Sequence, residues 1–400
     1  MTGLEKLIEQ LCPDGVNFKR LGAVAEIRSG WGFPNKEQGK KQGDVPFFKV
    51  GDMNVSGNEL YMVSSKNYID NSTVERLKCK PAPEGTIIFP KIGAAISTNK
   101  KRILVCKSCY DNNVMGLIAF PCVESRYLYY LIDSVDLMNF ADYSGAMPSI
   151  RKSTLEKYTI PVPPLEVQQE IVRILDHFTE LTAELTAELT ARKQQYIYYR
   201  NRLLSHQDKS VWMTLGDIGK VAMCKRIMKA ETSPNGNVPF YKIGTFGKKP
   251  DAYISKEKYE EYRSKYSFPK KGDILISAAG TIGRTVIYDG QPAYYQDSNI
   301  VWVENDESIV LNRYLYYYYQ LQPWAVSIGG TIARLYNDNI SKAKISVPPL
   351  PEQRRIVAIL DRFDALCNDL TSGLPAEIAA RQKQYEYYRD KLLTFKKREG

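Results

Sequence analysis

The feature that most constrains this chain is that its second half restates its first. Leu21-Gly22 is echoed by Leu215-Gly216, Val45-Pro-Phe-Phe-Lys-Val-Gly51 by Val238-Pro-Phe-Tyr-Lys-Ile-Gly244, and Gly85-Thr-Ile-Ile by Gly272-Asp-Ile-Leu. Arg126-Tyr-Leu-Tyr-Tyr returns as Arg313-Tyr-Leu-Tyr-Tyr, Val162-Pro-Pro-Leu as Val347-Pro-Pro-Leu, and Ile171-Val-Arg-Ile-Leu-Asp-His-Phe as Ile356-Val-Ala-Ile-Leu-Asp-Arg-Phe. Last, Arg192-Lys-Gln-Gln-Tyr-Ile-Tyr-Tyr-Arg returns as Arg381-Gln-Lys-Gln-Tyr-Glu-Tyr-Tyr-Arg. The echoes keep their order and nearly their spacing, so the fold must be assembled from two like units.

The best-matched blocks lie on helices. From Leu165 to Leu204 no Gly or Pro interrupts, and Ile171, Leu175, Phe178, Leu181, Leu185 and Leu189 recur at helical steps. Such a helix reaches roughly 60 Å. Pro161, Pro163 and Pro164 exclude helix before it, and Glu166 and Glu170 suit its positive end. From Leu21 to Pro164 the pattern is mixed, with β-rich runs at Val45 to Val50, Thr86 to Ile92 and Ile103 to Cys106 and a short helix around Arg126 to Ile132.

The reading is an α/β (α+β) chain: an N-terminal helix and turn (1–20), a first domain (21–164), a first long helix (165–205) and a polar linker containing His206 (206–214). A second domain (215–349), a second helix (350–395) and a basic tail (396–400) follow. Packing the two helices antiparallel would hide both apolar stripes and place the domains at opposite ends with pseudo-twofold symmetry. The second helix reads Thr371-Ser-Gly-Leu-Pro-Ala-Glu-Ile where the first has the tandem Thr182-Ala-Glu-Leu, and Gly373 with Pro375 should break or kink it.

Two histidines, His177 inside the long helix and His206 in the linker, argue against a Ser/His/Asp triad or a His-rich metal centre. Gly280-Thr-Ile-Gly-Arg-Thr lacks the ending of a phosphate-binding loop, and Val-Pro-Pro-Leu is not the motif of an amino-methyltransferase. Cys106-Lys-Ser-Cys109 has metal-ligand spacing, with Cys79 and Cys122 available to complete a set, but the second domain offers a single cysteine, Cys224. No shared structural metal is expected. Seven scattered cysteines and an N-terminus without an apolar core suggest a cytoplasmic protein.

An excess of 55 Lys and Arg over 45 Asp and Glu, net +10, favours a polyanionic partner. Asn99, Lys100, Lys101 and Arg102 follow one β-rich run, and Arg284 and Thr285 follow its counterpart. Such loops suit phosphates and base edges, and Lys225, Arg226, Lys248 and Lys249 are further candidates. On the helices, Arg192, Tyr196, Tyr199 and Arg200, with Arg381, Tyr385, Tyr388 and Arg389, serve either helix-pair packing or a partner protein.

The duplicated Pro-Pro-Leu and Ile-Val-x-Ile-Leu-Asp helix, the Tyr-x-Tyr-Tyr-Arg block and the tandem Thr182-Ala-Glu-Leu-Thr186-Ala-Glu-Leu together resemble the specificity (S) subunits of type I restriction-modification enzymes. The tetrapeptide is most similar to the type IC subfamily. The resemblance spans the whole chain. It implies that each domain is a target-recognition domain reading one half of a bipartite asymmetric DNA site, and that the helices are spacers docking two methyltransferase (M) subunits. It implies no cofactor in this chain, S-adenosylmethionine on M, and ATP and Mg2+ on restriction (R) subunits. It also makes Thr182, Leu185, Thr186 and Leu189 a ruler: one unit adds roughly 6 Å of helix, or about one or two base pairs of gap. The rival readings are a self-sufficient DNA methyltransferase or nuclease, and a coiled-coil scaffold that binds protein.

Overall fold

The computed structural model describes residues 3–205, 209–326 and 334–399; His206 lies outside the described residues. The chain divides into two compact units, residues 1–184 with 378–400 and residues 185–377. Both divisions fall on helices, after Glu184 inside the tetrapeptide run and after Glu377. Each unit therefore owns one globular domain and part of each helical segment.

In the first unit a five-stranded sheet runs in the order 25–29, 114–119, 87–90, 102–104, 61–62, beside a three-stranded sheet 68–69, 45–48, 109–110. The second unit repeats the plan: 221–222, 300–303, 274–277, 285–287, beside 253–254, 238–241, 294–295. The same unusual step occurs in both. The Val-Pro-Phe strand pairs parallel with a short later strand, Phe47 opposite Cys109 and Phe240 opposite Tyr294. The shared parallel pairing marks the domains as copies of one design, since most other pairs are antiparallel, Tyr61–Met62 with Arg102–Leu104 excepted.

Each domain is closed by a strand pair that brings its ends together, Asn17–Arg20 with Thr159–Val162 and Val211–Thr214 with Lys344–Val347. The strand Val211–Thr214 falls where a linker to residue 214 was expected. Val211 and Trp212 are exposed, so no buried run announces the strand, and its pairing partner lies far along the sequence.

Leu165–Leu204 is one helix of 40 residues. Val167, Ile171 and Leu175 are fully buried in the first unit's core, each contributing about 1.5–3 kcal/mol. Tyr196 and Leu204 are buried in the second unit. The tetrapeptide stretch between them holds no buried residue, and its threonines turn back on the helix: Thr182 Oγ1 donates to the Phe178 carbonyl at 2.9 Å and Thr190 Oγ1 to that of Thr186 at 2.9 Å.

The second helical segment is two helices, Leu350–Asn368 and Leu374–Leu392, where one helix over 350–395 was marked out. The break is built. Asp369 Oδ1 accepts from the Thr371 amide at 2.7 Å and its hydroxyl at 2.6 Å, holding the turn. A Cβ on Gly373 would stand 2.5 Å from the Ala365 carbonyl oxygen, so only glycine fits.

Within each unit the helical segments run antiparallel. In the first, Phe178 stacks on Tyr388 (5.4 Å) while Leu165 and Arg398 line one cavity. In the second, Tyr199 stacks on Phe363 (5.8 Å), Leu204 shares a core cluster with Ile356 and Leu360, and Cys367 lies in the field of Lys193 and Arg192. Among the described residues no helix is long and apolar enough to cross a membrane.

Candidate nucleic-acid interface

The repeated motifs meet in space. In the first unit Arg126, on the helix Ser125–Asp133, donates to Asp176 of the long helix, and the Tyr130 hydroxyl donates to the same Oδ1 at 2.5 Å. Arg126 also donates to the Tyr130 oxygen at 2.9 Å, which closes a triangle. In the second unit Arg313 Nε donates to Asp361 Oδ1 at 2.6 Å, Tyr317 donates to that oxygen at 2.5 Å, and Arg313 reaches the Tyr317 oxygen at 3.1 Å.

Gln168 and Gln353 make a second duplicated tie. Gln168 Oε1 accepts from the Glu124 amide at 2.8 Å and its Nε2 donates to the Pro163 carbonyl at 2.7 Å. Gln353 does the same with the Leu311 amide and the Pro348 carbonyl, both at 2.8 Å. These contacts fasten each domain to its own helix. The bonds to Asp176 and Asp361 are charge-assisted, hence short and directional, so they fix orientation as well as add energy.

The cations marked out from sequence separate into two groups. Lys101 is 1% exposed, and its ammonium donates to Val135 O at 2.7 Å, Asn99 Oδ1 at 2.8 Å and Asp133 O at 3.3 Å. Burial pushes its pKa down to about 8. Asn99 also accepts from the Leu137 amide at 2.9 Å, Arg102 donates to the Lys101 carbonyl at 2.8 Å, and Lys100 is bonded to Asn54. This correction removes Lys101 as a DNA-facing group and makes Asn99 to Arg102 largely an internal brace. Arg284 is likewise spent in part on the Phe246 carbonyl (2.9 Å), and Thr285 lies in a strand opposite Ile276.

Lys248 and Lys249 are exposed, as is Lys225, whose ammonium lies 5.2 Å from the Tyr266 ring centre. Arg226 is exposed and paired with Asp297 at 2.9 Å. It stands at the edge of a cleft of about 710 Å³ in the second domain, which also takes in Lys242, Gln296, Asn299 and Arg334. Sequence reading missed the last four. Lys242 sits in the repeated Val-Pro-Phe-x-Lys motif, a signal that was present; nothing in the sequence singled out the other three.

Of the helix tyrosines marked out from sequence, Tyr196 is buried, Tyr385 and Tyr388 are half-buried and Tyr199 is exposed. Tyr196 is 7% exposed and donates to Gln320 Oε1 at 2.9 Å, where Arg200 also donates at 3.0 Å. Tyr199 and Tyr388 stack on Phe363 and Phe178, and Tyr385 packs on the first core, its pKa pushed up to about 12 by burial. Arg192 is paired with Glu188 (3.3 Å), Arg381 donates to Gln384 (3.2 Å) and Arg389 to Asp390 (2.9 Å). The most exposed aromatic and branched groups near the Tyr-x-Tyr-Tyr-Arg blocks are Ile197, Tyr198 and Tyr387, with Tyr199 also partly open at 37%. Cys79 and Cys109 are buried side by side while Cys106 and Cys122 are exposed, and no group of His, Cys, Asp and Glu suited to a metal forms among the described residues.

Comparison with known proteins decides the family. The type I restriction modification DNA specificity domain matches twice, over residues 13–192 and 208–380. The chain belongs to the type I restriction-modification DNA specificity family. A putative type I restriction enzyme specificity subunit of Haemophilus influenzae is 46% identical over 98% of both chains. The EcoR124I/EcoR124II specificity subunit of Escherichia coli is 35% identical over 73% of this chain and 74% of its own. In structure, the S subunit of a type I system from M. genitalium gives a TM-score of 0.55 at 15% identity, covering 95% of this chain and 96% of that one. A chain from a type I restriction-modification system studied for complex assembly and conformational transition gives 0.61 at 19%, covering 95% and 97%. At these identities the structural likeness is one of fold. As a specificity subunit the chain is the recognition component of such a system and not its catalyst. Each matched specificity domain carries one copy of the Arg–Tyr–Asp triangle.

Proposed function

We propose that each domain reads one half of a bipartite, asymmetric DNA site, and that the helical segments set the gap and dock two M subunits. The observation that carries this reading is the pairing of sameness and difference. The triangle and the glutamine tie are repeated almost atom for atom, while the loops and surface cations of the two domains differ. Two frames of one design with different loops suit two different half-sites. Ile197, Tyr198 and Tyr387 are the helix groups we assign to the M interface.

In this reading S-adenosylmethionine is held by M, and ATP and Mg2+ by R, in a cytoplasmic complex; the tandem tetrapeptide supports a type IC assignment. Affinity comes largely from phosphate contacts and selectivity from base contacts. The complex with M should bind a bipartite duplex with affinity that falls steeply as salt rises. Binding indifferent to salt, or equal binding to every duplex, would overturn the reading.

A further inference from the structure

The cleft of the second domain has a floor of its own chemistry. Gln296 to Asn299 join the strands Tyr294–Tyr295 and Ile300–Val303, and Ser298 sits in the left-handed region at φ 59°, which a serine rarely adopts. Strain of this kind is held only where the surroundings insist on it, and it clusters at binding sites. Here the surroundings are Arg334, which donates to the Ser298 carbonyl at 3.0 Å and to Asn299 Oδ1 at 3.4 Å. Gln296 is fixed as well: its amide donates to the Tyr241 carbonyl at 3.0 Å and its Oε1 accepts from the Ile243 amide at 3.0 Å. Both side-chain amides thus have their oxygens engaged, and among the described residues Nε2 of Gln296 and Nδ2 of Asn299 remain as donors for a ligand.

The rim is cationic but reversibly neutralised. Arg226 pairs with Asp297 at 2.9 Å and Lys242 with Asp251 at 2.9 Å, and the two cationic side chains are 67% and 42% exposed. Exposed pairs are weak enough for a phosphate to replace the carboxylate.

The first domain places polar groups at the same topological point. Asp111 to Asn113 join the strands Cys109–Tyr110 and Val114–Ala119, and Lys49, the repeat counterpart of Lys242, acts on Asp111. There, however, Asp111 is 4% exposed and is bonded to Asn113 at 3.0 and 3.3 Å. The position is shared and the chemistry is not.

We infer that Gln296 and Asn299 read a base edge for the second half-site, with Arg226 and Lys242 taking flanking phosphates and Arg334 positioning the loop. Two amide donors lining one cleft suit an edge that carries acceptors, and in the major groove the N7 and O6 of guanine present two. The inference rests on the bipartite reading above.

The test is the methylated motif, read by sequencing the genome of cells that express the chain with its M subunit. The wild type is compared with Gln296→Ala/Asn299→Ala and with the near-isosteric Gln296→Glu/Asn299→Asp, which turns donors into acceptors. The alanine variant should lose about tenfold or more of its discrimination at a guanine in the second half-site. The acidic variant should disfavour that guanine outright. The first half-site and the gap should not change in either. Relaxation confined to the first half-site, an unaltered motif in both variants, or relaxation at a base other than guanine would overturn the assignment. Failure of both variants to assemble with M would make the loop structural and also overturn it. A wild type without a bipartite motif would instead refute the reading on which the inference rests.

Discussion

Arg313 Nε donates to Asp361 Oδ1 at 2.6 Å, joining the helix of the second domain to the helix that follows that domain. Arg126 makes the same pair with Asp176 in the other unit, each time with a buried tyrosine hydroxyl on the same carboxylate oxygen. A domain that must present its loops at a set angle needs such a joint, because packed apolar faces alone can slide.

Removing only the hydroxyl isolates the joint from the packing. Tyr130→Phe should lower the stability of the full chain by about 1.5–3 kcal/mol, the range for a hydrogen bond to a charged group. Tyr317→Phe should fall at the lower end of that range, because Asp361 and Arg313 are 42% and 35% exposed and so better screened by solvent. The two joints lie in different units and share no partner, so denaturant melts of the double variant should show additive losses. Losses under about 0.5 kcal/mol for both would mean that the triangle carries no stability.

The joint was half legible in the sequence. Both motifs stood out as repeats, and the long helix was plain because its periodicity is local and unbroken. That Arg126 would meet Asp176 was not legible, since the contact is set by how the domain folds back on its helix. Lys101 shows the limit more sharply: it sits in a run of basic residues like any surface loop, but carbonyls supplied by Asp133 and Val135 draw it inside. The floor of the cleft was hidden for the same reason, since Arg334 and Gln296 become neighbours only through the sheet.

Lys101 should reveal itself in alkali. Its folded pKa, about 8, lies below that of an unfolded lysine, so between those values the unfolded chain binds more protons and stability rises with pH. The cost of burying the charge is present in full below pH 8 and relieved above it. Tyrosine ionisation works the other way, so the comparison is with Lys101→Met under the same conditions. The stability difference should move in favour of the wild type from pH 8 to pH 10, and a difference flat across that window would contradict the burial.

Gly373 sets two effects against each other. Alanine favours helix by about 1 kcal/mol over glycine and would tend to join the two helices, whereas its Cβ would press on carbonyl oxygens at 2.5, 2.8 and 2.9 Å. Backbone on three sides cannot yield cheaply, so Gly373→Ala should destabilise the chain by about 1–3 kcal/mol. A thermal melt at or above that of the wild type would show that the turn is not needed.

The tetrapeptide run offers a test of length alone. Deleting Thr186 to Leu189 removes roughly 6 Å of helix. The gap accepted between half-sites should shorten by about one or two base pairs at roughly 3.4 Å each, with both half-sites retained. Altered half-sites would sink the ruler.

The most direct measurement is the methylated motif in the genome of a cell that carries this chain and its M subunit, read with and without the chain. Methylation should require the chain and fall within a two-part, asymmetric motif with one fixed gap. A continuous motif, or the same methylation when the chain is left out, would contradict the assignment of two half-sites to two domains.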